Sequence, residues 1–303
     1  MQQKHANNKQ TAIDFYTTMV NKQQPIEAYE KYCGFYYRQH NAYVSDGREG
    51  FLEHFDLIRE KLPHTDVVLR SIAEDDMVVL HMLHEHPPLN WPAGEPCDYN
   101  KYGMVSFDTF RFSEEGKIIE HWDAVQWPPF PRYLNVMEKE HGQLSLAATQ
   151  WWPEGKYRWI EAPISKHSMI DGETQIKDLD KTITNKSLVK RFIENVLIEH
   201  RMDEFKNYFG DTLIQHIQYL KDGVEEYRQA IISMKKNLGR CYIFDHKVVA
   251  EGNYVYVHSQ VNYRGKSTVM GDLFRVENNK IVEIWECLGE AVPDHLPHDN
   301  GLF

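Results

Sequence analysis

The sequence has little cysteine, no excess of positive charge and no long apolar run. Four cysteines, Cys33, Cys97, Cys241 and Cys287, occur in 303 residues and none forms a C-x-x-C pair, which argues against a zinc ribbon, a thioredoxin-type site or a disulfide framework. The 34 basic and 45 acidic residues give a net charge of −11, which argues against nucleic acid or an anionic membrane as a partner. No apolar run approaches the ~20 residues of a membrane-spanning helix.

Signals for export and for common cofactors are also missing. The polar start, residues 1–8, has no apolar segment of the kind that a secretory signal contains, so we expect a cytoplasmic protein with reduced thiols. We find no G-x-G-x-x-G, no phosphate-binding loop and no G-x-S-x-G motif, and therefore expect no cofactor. Sixteen histidines and an aromatic content of 13% suggest pockets, so we expect a small-molecule ligand or substrate.

The chain repeats itself once. Five blocks recur in the same order: NK at 8 and 185, QH with DG at 39–47 and 215–223, E-x6-H at 74–81 and 251–258, D-x-F-R at 108–111 and 272–275, and KI-x-E-x-W-[DE] at 117–123 and 280–286. We therefore predict a first domain over residues 1–130, an aromatic-rich connector over 131–184 and a second domain over 185–303. Two copies in one chain predict an intrachain pseudo-dimer, as a monomer or a homodimer.

Each copy has the pattern of helices followed by strands. Apolar residues at helical spacing predict a first helix with one buried face, formed by Ala12, Phe15, Tyr16, Met19 and Val20. Pro25 favours a second helix to about Tyr32, and Asp46 can cap a third. A four-stranded antiparallel meander follows in each copy, with the acidic run Glu74–Asp76 as a solvated turn. This order predicts an α+β fold of two tandem cone-shaped domains, each about three helices packed on a curved antiparallel sheet. In the first copy, Pro87–Tyr102 predicts a long loop that covers or plugs the cone.

The blocks 107–112, 116–126 and 39–47 resemble the SnoaL-like (polyketide cyclase or aldol-condensation-like) branch of the nuclear transport factor 2-like superfamily. The resemblance implies a hollow cone. It places the acid that follows the tryptophan, here Asp123, inside this cone as an acid/base group. The same superfamily contains isomerases, dehydratases, cyclases, epoxide hydrolases and non-catalytic binders, so the resemblance does not select one activity.

Alternation along the last strand of the first copy puts His121 and Asp123 on one face. His40, His81 and Asp108 are the candidate neighbours of Asp123, although all three recur in the second copy and can serve to build the fold. His121 is the sharper candidate, because its counterpart is Ile284. In the second copy His216, His258, Asp272 and Glu286 are the corresponding ligand-binding candidates, in a pocket that looks diverged.

A carboxylate in an apolar hollow has a raised pKa and is a stronger base. We therefore expect a cofactor-independent acid/base enzyme, namely a cyclase, aldol-type lyase or isomerase that acts on a small, carbonyl-bearing apolar molecule. The alternatives are a dehydratase or hydrolase in which a His/Asp pair activates water, and a non-catalytic binding module. We expect no metal, because His81 lies on the opposite strand face from His84 and His86; a site assembled across strands stays open.

Overall fold

The structure is a computed structural model that describes residues 2–61, 63–85, 103–126, 166–217, 220–233, 235–236, 241–263 and 265–303. The predicted loop Pro87–Tyr102 lies outside the described residues. Most of the predicted connector also lies outside them. Within the described ranges, no helix is both long enough and apolar enough to cross a membrane.

The described residues of the first half form three helices and a five-stranded sheet. The helices are α1 (Gln2–Tyr16), α2 (Pro25–Tyr32) and α3 (Gly47–Lys61), and a π-helical turn, Thr17–Asn21, continues α1. The strands are β1 (Cys33–Gln39), β2 (Asp66–Glu74), β3 (Met77–His84), β4 (Met104–Phe112) and β5 (Ile118–Gln126). They pair in the order β1-β5-β4-β3-β2.

The second half repeats this arrangement. Helix α4 (Thr182–Phe192) continues into a π-helical turn, Ile193–Ile198, and α5 (Val224–Ser233) takes the place of α3. The strands are β6 (Phe209–Gln215), β7 (Cys241–Glu251), β8 (Tyr254–Tyr263), β9 (Lys266–Glu277) and β10 (Lys280–Ala291). Their order, β6-β10-β9-β8-β7, is that of the first sheet.

The α+β class with two cone-like domains is confirmed, but each sheet has one strand more than the predicted meander. Strands β1 and β6 pair in parallel with β5 and β10, so the sheets are mixed. The sequence of β1, CGFYYRQ, hides this strand because its two central aromatic residues, Phe35 and Tyr36, are exposed and interrupt the alternation. This extra strand matters for the site because it ends at Gln39, directly before His40.

The helices cover one face of each sheet. All five residues predicted for the buried face of the first helix are buried, in one core with apolar residues of β3 and β4. Burial of such side chains contributes about 1.5–3 kcal/mol each. The equivalent core of the second domain is larger and includes Phe192, Phe274 and Ile284.

The opposite faces of the two sheets pack against each other. A third core contains residues of both halves, with Phe107 and Ala124 meeting Tyr256, Leu273 and Trp285. The Phe107 and Tyr256 rings are 5.1 Å apart. Along each strand, alternate residues therefore face either the helices or the other domain.

Two glutamates tie the edges of the sheets together reciprocally. Glu74 accepts hydrogen bonds from the backbone N–H of Ala250 and from Lys186, and Glu251 accepts them from the N–H of Ala73 and from Lys9. The prediction of a solvated acidic turn is therefore wrong for Glu74. Its carboxylate satisfies a backbone donor of the other domain.

The close approach of the two sheets predicts a stability defect when Gly271 gains a side chain. A Cβ at this position would lie 2.9 Å from the Phe107 ring and 3.1 Å from the Ala124 Cβ, both in the first domain. We expect Gly271→Val to lower the free energy of unfolding by about 1–3 kcal/mol through overpacking, as measured by urea denaturation.

Gly210→Ala is the control, because a Cβ there meets nothing within 4 Å. Equal unfolding midpoints for Gly271→Val and the unsubstituted chain would show that the sheets do not meet as described.

Candidate active site

The first domain encloses a cavity of about 150 Å³ between its helices and its sheet. This volume accommodates a molecule of about the size of one aromatic ring. Much of the wall is apolar, with Phe15, Met19, Phe51, Phe55 and Ile58 from the helical side. Val269 and Leu302 of the second half also contribute to the wall.

A buried carboxylate, Asp108, is the centre of a hydrogen-bond network on the sheet side of this cavity. It accepts from the Tyr16 hydroxyl at 2.5 Å and from the Ser106 hydroxyl, and its Oδ1 lies 3.1 Å from His121 Nε2. Burial acts to raise the pKa of Asp108, but the hydrogen bond and the charge of His121 hold it below its ordinary value. Three donors on one carboxylate favour its ionised form.

His121 is held between two acceptors. Its Nδ1 lies 2.8 Å from Gln39 Oε1, and this oxygen also accepts from the backbone N–H groups of His40 and Asn41. Both nitrogens of His121 therefore face hydrogen-bond acceptors, Gln39 Oε1 and the Asp108 carboxylate.

Asp123 lies beside this pair and has a different environment. Its one hydrogen bond among the described residues comes from Asn41 Nδ2 at 2.6 Å, and its side chain lines the cavity. Burial raises the pKa of Asp123, and the negative charge of Asp108 acts in the same direction, against His121 and Asn41. Asp108, His121 and Asp123 offer polar atoms that lie within 4.8 Å of one another. The predicted meeting of these three residues is thus observed.

A second polar group lies on the same cavity wall and was missed by the sequence reasoning. His84 Nδ1 lies 2.7 Å from Asp66 Oδ1, and His64 Nε2 lies 3.1 Å from the same oxygen. His84 Nε2 donates to Ser106 at 2.8 Å, which connects this group to Asp108. Only His84 had been singled out in the sequence; the pattern H-x-D just before a strand is the signal that could have found the other two residues. Tyr16, Gln39 and Asn41 were also missed as site residues, although Gln39 belongs to a repeated block.

His40 lines the cavity but its ring is used for structure. The ring stacks on Trp122 at 4.5 Å, Nε2 donates to Glu120 at 2.9 Å and Nδ1 donates to the Gly301 carbonyl at 2.8 Å. Glu120 and Trp122 occupy the face of β5 that is turned away from Asp123. The expectation that His40 acts on the same ligand as Asp123 is therefore corrected.

His81 lies outside the cavity, on the interface face of β3. Its Nδ1 accepts from Arg70 at 3.2 Å and its ring packs on Phe107 at 4.6 Å. Burial, together with the nearby Arg70 guanidinium, lowers the pKa of His81 well below its ordinary value. The expectation of His81 as a neighbour of Asp123 is wrong, because the strand face that it shares with Val79 packs against the other domain.

The second domain keeps the interface residues and fills its interior. His216 stacks on Trp285 at 4.5 Å and donates to Glu283 at 2.7 Å. His40 makes the same two contacts in the first domain, with Trp122 and Glu120. His258 donates to the Leu302 carbonyl at 3.2 Å, and burial lowers its pKa to about 3. Neither histidine faces the interior of the second cone, which corrects their prediction as ligand-binding residues.

Asp272 and Glu286 are buried, and they are paired in register as Asp108 and Asp123 are. Asp272 accepts from the Tyr242 hydroxyl at 2.9 Å. The positions equivalent to His84, Ser106 and His121 are Val261, Met270 and Ile284, which belong to the buried apolar core. This interior resembles a packed core more than a site for a ligand.

The opposite environments of Asp108 and Asp123 predict opposite effects of replacing each with asparagine. Folding raises the pKa of Asp123, so its contribution to stability is complete below its ordinary pKa and is lost as the pH rises through the raised value. We therefore expect Asp123→Asn to increase the free energy of unfolding at pH 7, because the isosteric amide removes a buried charge. Asp108→Asn should decrease it by about 3 kcal/mol, because His121 loses its counter-charge.

For Asp108 the pKa is lowered by folding, so its stabilisation is present above the ordinary pKa and is lost as the pH falls. Urea denaturation of the three proteins at pH 7 and at acidic pH tests both signs. A lower free energy of unfolding for Asp123→Asn at pH 7 would contradict the description of Asp123 as a carboxylate whose charged form is destabilised by desolvation.

Comparison with known proteins finds one family match, in the second half of the chain. The SnoaL-like domain family matches residues 189–284. No curated protein sequence matches the chain. Solved structures that resemble it include TsrD from Streptomyces laurentii, at 19% identity and a TM-score of 0.33, over 40% of this chain and 88% of that one.

Two further similar structures are described as a cyclase and as a hydrolase. A SnoaL-like polyketide cyclase from Agrobacterium tumefaciens is 12% identical, with a TM-score of 0.31, over 34% of this chain and 90% of its own. A Mycobacterium tuberculosis epoxide hydrolase of the LEH-like type is 16% identical, with a TM-score of 0.31, over 36% and 84%. Identities this low do not transfer an activity. The family match covers residues 189–284 in the second half, and the sheet of the first half has the same strand order as the sheet of the second.

Proposed function

We propose that the first domain is a general acid/base enzyme that moves a proton on a small, carbonyl-bearing apolar molecule. The observation that carries this proposal is the pair of neighbouring carboxylates with opposite pKa shifts. The pKa of Asp108 is lowered and that of Asp123 is raised, and both residues line the same largely apolar cavity. Two adjacent carboxyl groups whose environments separate their pKa values are typical of acid/base sites.

In this mechanism Asp123 takes a proton from the carbon next to the ligand's carbonyl. The raised pKa makes it a stronger base than a solvated aspartate, and Asn41 fixes the carboxylate by one oxygen. The negative charge that develops on the carbonyl oxygen is stabilised by protonated His121, whose ring lies beside Asp123. Protonated Asp123 then returns the proton at another atom, which gives an isomerisation, or the enolate attacks a second carbonyl in a ring closure.

Activation of water by the His121–Asp108 pair is less well supported. A histidine that acts as a base needs a free lone pair, and both nitrogens of His121 face acceptors. The non-catalytic alternative, a binding module, uses the same cavity without the proton transfer. The experiment below separates these possibilities.

The test uses solvent deuterium as the probe of proton transfer. The full chain is incubated in D₂O with a panel of small cyclic and aryl ketones, and proton NMR follows exchange at the carbon next to the carbonyl. We expect catalysed exchange for at least one ketone, and a loss of about 10²–10⁴-fold in Asp123→Asn.

Glu286→Gln is the matched control, because it removes the equivalent carboxylate of the second domain and should leave exchange unchanged. Equal exchange rates in Asp123→Asn and the unsubstituted chain would contradict the role of Asp123. A ketone that binds in equilibrium dialysis and is recovered without deuterium would favour the binding module, and ¹⁸O from the solvent in a product would favour the hydrolase.

A further inference from the structure

The strongest unassigned feature is the group of His64, Asp66 and His84 in the cavity of the first domain. All three residues line the cavity, and their polar atoms lie within 4.8 Å of one another. The side chain of Asp66 is 1% exposed and those of His64 and His84 are 6% and 8% exposed. The acid/base role of Asp123 uses none of them.

Two hydrogen bonds to Asn21 hold the backbone of Asp66. The Asp66 N–H donates to Asn21 Oδ1 at 2.7 Å, and the Asp66 carbonyl accepts from Asn21 Nδ2 at 2.9 Å. Asn21 ends the π-helical turn after α1, so the first residue of β2 is tied to the helical layer. The carboxylate is therefore held in place rather than carried on a loop.

Neighbouring groups also set the orientation of His84. The Ser106 hydroxyl donates its proton to Asp108, so it accepts the Nε2–H of His84. His84 therefore directs Nδ1 toward Asp66 Oδ1. Metal-binding histidines commonly donate the N–H of their outer nitrogen to a fixed acceptor in this way, which leaves the other nitrogen for the metal.

One oxygen of Asp66 has no hydrogen-bond partner. Oδ2 is buried and receives no donor among the described residues, although a buried carboxylate oxygen left unsatisfied costs about 1–3 kcal/mol. The carboxylate thus has unused acceptor capacity beside two imidazoles. This observation is independent of the geometry of the group and points to a cation as its partner.

We propose that His64, Asp66 and His84 form a binding site for a divalent transition-metal ion, with Zn²⁺ or Fe²⁺ as the chemical class. Two imidazole nitrogens and one carboxylate oxygen are the donor set of catalytic zinc sites and of the facial sites of non-haem iron. Ligands about 2.1 Å from one ion lie about 3.0–3.4 Å apart in octahedral and tetrahedral sites, and the nitrogens here lie 2.7 and 3.1 Å from Asp66 Oδ1.

The remaining coordination positions of such an ion face the cavity, where a ligand's oxygen can reach them. This inference does not rest on the role of Asp123, because metal binding is measured without any organic ligand. It replaces the expectation of a metal-free protein with a specific site.

Calorimetric titration tests the site on the full chain after removal of metal with EDTA. We expect Zn²⁺ to bind with one tight site, and Asp66→Asn to weaken this site by about 100-fold or more, because an amide oxygen is a much poorer ligand than a carboxylate. Co²⁺ should give visible absorption bands typical of nitrogen ligation, and Asp66→Asn should abolish them.

Asp171→Asn is the matched control. Asp171 belongs to another His/Asp group, with His167 and His216, and its side chain is 46% exposed. Its replacement should leave the tight site intact, whereas loss of Zn²⁺ binding in Asp171→Asn but not in Asp66→Asn would place the metal there and overturn the proposal.

His64→Gln serves as a second variant if Asp66→Asn does not fold, with far-UV circular dichroism as the check. It should also weaken the binding of Zn²⁺ by at least tenfold. If the unsubstituted chain shows no tight Zn²⁺ site, or if both variants bind Zn²⁺ as tightly as the unsubstituted chain, the group is a hydrogen-bonded ion pair only. Proton exchange by Asp123 that persists in EDTA would separate this failure from that of the proposed enzyme.

Discussion

The packing of the two sheets on each other is the constraint on which the rest of the structure depends. Its anchors are two tryptophans, Trp122 and Trp285, each covered by a histidine ring at 4.5 Å with interplanar angles of 18° and 7°. A cation from the other domain lies over each indole, Lys247 over Trp122 at 4.0 Å and Arg70 over Trp285 at 4.3 Å. Contacts of this kind contribute about 0.5–2 kcal/mol each, and their reciprocity gives the interface an approximate two-fold symmetry.

This constraint divides the residues of every strand between two tasks. One face of the strand is committed to the other domain, and only the opposite face remains for the cavity. Several residues that the two copies share, such as the histidine after the first strand and the glutamate and tryptophan of the last, serve the interface. The cavity of the first domain combines Gln39 and Asp108, which recur in the second copy, with His84, Ser106 and His121, which do not.

The differences between the cavities are concentrated in a few positions. Three polar residues of the first domain, His84, Ser106 and His121, correspond to apolar ones in the second, and the apolar residues are buried. In the first domain His84 and Ser106 connect Asp66 to Asp108 through hydrogen bonds, and His121 connects Asp108 to Gln39. Replacing all of them at once removes the need to satisfy buried polar groups, because a partly satisfied network costs more than an apolar core. The second domain can thus use its interior for stability, while the first keeps a cavity.

Much of this fold was accessible from the sequence, because the repeat and the alternation of strands are local patterns. Alternation assigned His121 and Asp123 to one face and Glu120 and Trp122 to the other, and the structure agrees. It could not decide which face of β3 looks into the cone, since that depends on the pairing of strands and on the other domain. His40, His81, His216 and His258 were misassigned for this reason, although their recurrence in both copies indicated a structural role.

Other features depend on contacts that no local pattern records. The parallel strand β1 brings Gln39 next to β5, and residues near 300 return to the first domain, where His298 donates to the Asn41 carbonyl at 2.9 Å. Asn41 in turn holds Asp123. The domain boundaries at 130 and 185, the cytoplasmic location and the oligomeric state stay predictions.

The position of Asp123 shows why a site of this kind needs such a rigid surrounding. A carboxylate with one hydrogen bond in an apolar cavity is unfavourable, and a flexible wall would turn it toward water or bring in another donor. Here the opposite side of β5 is fixed by Trp122 in the domain interface, and Asn41 is fixed by a segment that spans both halves. The packing of the duplicated fold therefore holds the Asp123 carboxylate, whose charged form is unfavourable there, in a fixed position beside the cavity.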